Sequence, residues 1–68
     1  MFIVIEIQAT DDETVATLVY SYTNLNDAYS KYHTILSAAA ISTVWKHSAV
    51  VLDDSGALLK RESYTHET

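Results

Sequence analysis

The chain contains no cysteine, no proline and a single glycine, Gly56. Without cysteine, neither a disulfide nor a thiolate zinc centre can staple it. That absence matches a reducing cytosol, and a cytoplasmic location is expected. Basic residues are also scarce, four Lys and Arg against nine Asp and Glu, for a formal net charge of −5. Sequence-independent grip on a phosphate backbone needs a basic excess, so no nucleic-acid partner is expected. No run approaches the ~18 consecutive apolar residues of a membrane span, so no membrane association is expected. The apolar start, MFIVIEIQ, lacks a basic leader region, is interrupted by Glu6 and precedes no small-residue cleavage site, unlike a signal peptide. His33, His47 and His66 have no ligand spacing, so no metal is expected, and no motif calls for a cofactor.

What remains is apolar: 49% of residues are hydrophobic and 19% charged, the opposite of a disordered balance. Residues 1–68 read as one domain. A domain of this size buries only about 60% of its unfolded surface, and such scaffolds lean on disulfides, metals or oligomerisation. With the first two excluded, oligomerisation is expected.

Residues 2–9 alternate, with Ile3, Ile5, Ile7 and Ala9 on one face and Phe2, Val4, Glu6 and Gln8 on the other. Thr10-Asp11-Asp12-Glu13 is a turn. Residues 14–22 alternate again, Ala16, Leu18, Tyr20 and Tyr22 against Val15, Thr17, Val19 and Ser21, completing an antiparallel hairpin. After Thr23 the period changes. Asn24 is a good helix cap with Asp27 behind it, and Leu25, Ala28, Tyr29, Tyr32, Ile35, Leu36 and Ala39 form one helical stripe ending near Ala40. Residues 43–52 and 57–65 are further strands around Asp53-Asp54-Ser55-Gly56, where the glycine suits a left-handed position or a bulge. The last residues are expected to fray. The fold class is α+β: a ββαββ chain whose four-stranded antiparallel sheet carries one amphipathic helix on one face.

One helix leaves the other sheet face open, and an open antiparallel face ought to alternate to polar. Here both faces are apolar, whichever the helix covers. The surplus marks an interaction surface, expected to join copies of the chain in a dimer or higher oligomer. Phe2, Val4, Val15, Val19, Trp45 and Tyr64 are its candidates; scattered exposure or cover by the chain's own ends is the ordinary alternative.

If the second hairpin closes without a bulge, His47 faces Glu62, Ala49 faces Lys60 and Trp45 faces Tyr64. That grouping reads either as a small polar site, with His47 and Glu62 as an acid–base pair, or as plain cross-strand packing. The five tyrosines suit an interface rim or ordinary core-edge packing. Lys46, His47, Lys60 and Arg61 are candidates for a small phosphorylated ligand, although adjacent Lys60 and Arg61 point to opposite faces. No nucleophile triad, glycine-rich phosphate loop or metal-hydrolase motif occurs, and the chain is expected not to be an enzyme. The string YHTILSAAAISTVWKHSAVVLDDSG, preceded by FIVIEIQ and followed by KRESYTH, resembles small uncharacterised proteins of firmicute bacteria and their phages and mobile elements. The resemblance implies a bacterial or phage setting. That setting favours an inhibitor or adaptor docking on a host protein, or an oligomer sequestering a small nucleotide.

Overall fold

The computed structural model describes residues 1–12 and 14–66. Glu13, at the end of the expected first turn, and Glu67 and Thr68, in the tail expected to fray, lie outside them. Four strands and one helix follow in the order β1 (Phe2–Ala9), β2 (Val15–Tyr22), α1 (Leu25–Ala40), β3 (Lys46–Asp53) and β4 (Leu58–Thr65). They form one open sheet ordered β2-β1-β3-β4 with every neighbouring pair antiparallel, the expected α+β ββαββ architecture. No helix among the described residues is long and apolar enough to cross a membrane.

The local signals act where the sequence places them. In the first turn the Thr10 N–H donates to Thr14 O at 2.9 Å, and the Asp12 carboxylate accepts from the Thr10 hydroxyl and the Thr14 N–H. The Asn24 side chain caps α1 by accepting from the Asn26 N–H at 2.7 Å. The far end of α1 has no glycine and no basic residue in its last turn. There the imidazole of His66, just past β4, donates at 2.7 Å to the Ala39 carbonyl, which also accepts from the Ser42 N–H at 3.2 Å. Ala28, Tyr32, Ile35 and Ala39 are the buried stripe of α1, and the first three pack with Val4, Ala49 and Val51 of the two central strands.

Strand three starts at Lys46, three residues later than expected. Lys46 pairs with Ala9, the last residue of β1, so no neighbour exists on that side for residues 43–45. The Ser42 hydroxyl instead accepts from the Val44 N–H at 3.0 Å in the connecting turn. The second hairpin also departs from the expected register. His47 faces Tyr64, Ala49 faces Glu62 and Val51 faces Lys60, a shift of two residues. One extra residue enters at the turn, where Asp53 bonds Ala57 across Gly56 in a left-handed conformation (φ 89°). The second enters as a bulge between Leu52–Leu58 and Val51–Lys60, which leaves Leu59 over. Two is even, so every β4 side chain beyond the bulge keeps its expected face.

The helix covers the face bearing Phe2, Val4, Glu6 and Gln8, and the isoleucine face stays open. Chain topology accounts for this. β2 and β3 both run antiparallel to β1, so they run parallel to each other, and α1 is the crossover between them. Such crossovers are right-handed in about 98% of cases. With β1 between the two strands, that hand allows α1 only one side of the sheet.

Two outcomes check the second turn. Gly56→Ala forces a side chain into the left-handed region and is expected to lower stability by about 1 kcal/mol, read as a shifted urea midpoint. The Asp53 carboxylate accepts from the Ser55 hydroxyl and from the Ala57 and Ser55 N–H groups, which hold its pKa below the usual 3.8. A depressed folded pKa adds stability above the unfolded value, and the gain disappears as pH falls through the folded one. NMR titration is expected to place the Asp53 midpoint below 3.8, and Asp53→Asn to flatten the loss of stability under acid.

Candidate functional site

The sheet's register divides the candidate residues between its two faces. On the helix side, His47 is buried between Gln8 of β1 and Tyr64 of β4. Its Nε2 lies 2.6 Å from Glu6 Oε2, which also accepts from the Gln8 amide at 3.0 Å. The Glu6 side chain is itself only 13% exposed. His47 Nδ1 is buried without a hydrogen-bond partner. Nearby Tyr32 has its phenol pushed above the usual 10.0, first by burial and then by the charges of Glu62 and Tyr64. The carboxylate expected beside His47 was Glu62. The two-residue register shift puts Glu62 opposite Ala49, and the pairing of β1 with β3 brings Glu6 to the histidine. Glu6 was missed for a topological reason, since nothing in the chain announces that β1 and β3 are neighbours.

The tyrosines pack at the core edge. Tyr20, Tyr22 and Tyr29 lie against the buried cluster, with Lys31 Nζ 4.2 Å from the Tyr20 ring centre and Lys60 Nζ 5.7 Å from that of Tyr29. Lys60 therefore belongs to the helix side, as does His47.

The opposite face carries Ile3, Ile5 and Ile7 of β1, Val15 and Val19 of β2, Val50 and Leu52 of β3, and Leu58 of β4. Val19 is 62% exposed and Val15 60%, and the central isoleucines are half-buried only by their own neighbours. No helix or strand among the described residues lies over them. Interspersed are Ser48 and Ser63, and the only charges this face carries along its strands are Lys46 and Arg61. These two cations and two serines line a shallow hollow of about 300 Å³ whose floor is Ile7 and Val50 and whose rim includes Glu62.

The four proposed ligand contacts thus do not converge. Lys46 and Arg61 share the hollow, while His47 and Lys60 lie across the sheet. The interface candidates divide as well. Val15 and Val19 stand on the open face. Phe2 and Val4 do not: Val4 is fully buried beneath α1, and Phe2 packs beside it. Tyr64 is on the helix side, stacked on His66. Trp45, 37% exposed, precedes β3 at the sheet's end with Lys46 near its ring. The β1–β2 register sets Phe2 and Val4 on the face opposite Val15 and Val19, and α1 covers the first of these faces. Among the described residues, no group of three or more His, Asp or Glu is placed to hold a metal ion.

No known protein family, curated protein or solved structure matches this chain.

The Glu6–His47 contact is testable as a structural bond. Glu6→Ala leaves the buried imidazole without its one partner and is expected to destabilise the fold by about 1–3 kcal/mol. Glu6→Gln, which keeps an acceptor, should lose less. Chemical denaturation of the two variants checks the order.

Proposed function

We propose that the chain is a non-enzymatic, self-associating interaction module in which two copies close their open sheet faces on each other. The observation that carries this reading is the uncovered face with its row of isoleucines. Four strands about 4.8 Å apart and eight residues long, at about 3.3 Å per residue, give a flat area of about 500 Å² per copy. Two copies would remove roughly 1,000 Å² from water, the lower bound for a specific interface. A chain this small gains much of its missing core in the same step.

Charge supports a second copy over a foreign partner. Lys46 stands on the β3 side, at the end of the sheet where Ala9 runs into the Asp11-Asp12 turn on the β1–β2 side. A twofold axis parallel to the strands lays the β3–β4 half of one copy over the β1–β2 half of the other. Each Lys46 then approaches the acidic turn of its partner, twice by symmetry. The apolar centre supplies the adhesion and the ends set the orientation.

Light scattering is expected to give a mass at least twice 7.6 kDa. Ile5→Lys, at the centre of the face, should raise the dissociation constant more than tenfold while circular dichroism stays native. Lys46→Glu should weaken the pair, and adding Asp11→Lys should restore it, which loss of folding would not do. A 7.6 kDa species at all concentrations would overturn the reading.

A second reading is supported by the hollow alone. Lys46, Arg61, Ser48 and Ser63 offer two cations and two hydroxyls to an oxyanion, the chemistry of a small phosphorylated ligand or nucleotide. Inorganic phosphate or a nucleotide that raises the melting temperature of the wild type, and not of Arg61→Ala, would favour it. A docked host protein or catalysis would require a partner or a reacting group, and nothing on either face favours one.

A further inference from the structure

The two edges of this sheet differ in a way that points to a second contact. β4 is blunted in two ways used against edge-to-edge pairing: it is bulged at Leu59, and it carries Lys60, Arg61 and Glu62 in succession. β2 has neither protection. Its eight residues, VATLVYSY, contain no charge and no glycine, and its register with β1 runs without irregularity from Ala9–Val15 to Phe2–Tyr22. All but Tyr20 and Tyr22 are exposed.

The hydrogen-bond phase of this edge can be read from the first turn. Thr10 N–H bonds Thr14 O, so the Thr10–Thr14 pair is a hydrogen-bonded one. In an antiparallel ladder such pairs alternate with non-bonded ones. Gln8–Ala16, Glu6–Leu18 and Val4–Tyr20 therefore spend their backbone groups between β1 and β2. The N–H and C=O groups of Val15, Thr17, Val19 and Ser21 face outward.

The geometry points to a second copy of β2 as the occupant of this edge, antiparallel, with the twofold axis passing beside Leu18. In that register Val15 meets the partner's Ser21 and Thr17 meets the partner's Val19. All four outward residues then bond, for about eight backbone hydrogen bonds across the join. Shifting the axis to Val19 would pair Val15 with Thr23, beyond the strand, and lose part of the ladder. The edge has no charge that would call for a complementary foreign strand, and it is its own complement in the register described. Because β4 is blocked, the addition stops at one continuous eight-stranded sheet and does not propagate. The twofold axis is normal to the sheet, so both helices fall on one side and both isoleucine faces on the other. The edge contact rests on the self-association reading and leaves the open faces free to stack; with the stacking axis along the strands the two twofold axes do not meet, so both contacts together build an open staggered array and not a closed tetramer.

Separate substitutions isolate the two contacts. Leu18 is 51% exposed and lies on the helix side, away from the open face. Leu18→Lys sets like charges against each other on the edge axis alone. Light scattering of the wild type is expected above twice 7.6 kDa and rising with concentration, and Leu18→Lys should bring it down to about twice 7.6 kDa. Thr17→Pro, which removes an outward N–H and no bond to β1, should bring it down likewise. Amide exchange gives the residue-level readout. In the assembled wild type Thr17, Val19 and Ser21 should exchange as slowly as Leu18 and Tyr20, and in Leu18→Lys at least tenfold faster. Ile5→Lys should also leave about twice 7.6 kDa, with those amides protected. Fast exchange at Thr17 and Val19 in the assembled wild type overturns the edge contact, and so does a Leu18→Lys mass equal to that of the wild type. An Ile5→Lys mass equal to wild type overturns only the face-to-face reading.

Discussion

Two strands of this sheet run the same way with a third between them, and one helix must carry the chain from the first to the other. The right-handed twist of β-structure makes that crossover right-handed. Once β1 separates β2 from β3, the hand of the crossover assigns α1 to one face. Every other feature follows from that assignment. Val4, Ala49 and Val51 become core, Glu6 and His47 become a buried pair, and the isoleucines of β1 become surface.

The covered face is the more polar of the two, which is why it needs its own satisfactions. Glu6 and His47 bond to each other, Gln8 bonds the same carboxylate, and Lys31 and Lys60 lie over tyrosine rings. Buried polar atoms are costly unless paired, and the adjacency of β1 and β3 gives His47 Nε2 its partner in Glu6 while Nδ1 has none. The open face has the opposite character: it retains its apolar area and holds its two cations to one side. A chain of this size standing alone buries only about 60% of the surface it exposes when unfolded. The same economy of elements leaves two sheet edges, of which only β4 carries the charges and bulge that resist pairing.

Much of this was legible in the chain. Strict alternation in 2–9 and 14–22, the change of period after Asn24 and the Asp-Asp-Ser-Gly turn placed all five elements within a few residues. The amphipathic count placed a surplus of apolar side chains on one side of the sheet. The partner of His47 was not legible, because Glu6 is 41 residues away and only the adjacency of β1 and β3 brings them together. The register of the second hairpin was missed by two residues, since a left-handed Gly56 and a bulge at Leu59 each add one, and together they leave the faces of β4 beyond the bulge unchanged.

Periodicity by itself determined which residues share a face, because side-chain alternation is a property of the extended backbone and survives any choice of partner strand. It also determined that one helix would leave an apolar face uncovered. Which face that is was decided only by the tertiary structure. Alternation left both faces apolar and the choice open; strand order and the hand of the crossover put Phe2 and Val4 beneath the helix, because a helix can reach only the side of the sheet to which its twist returns it.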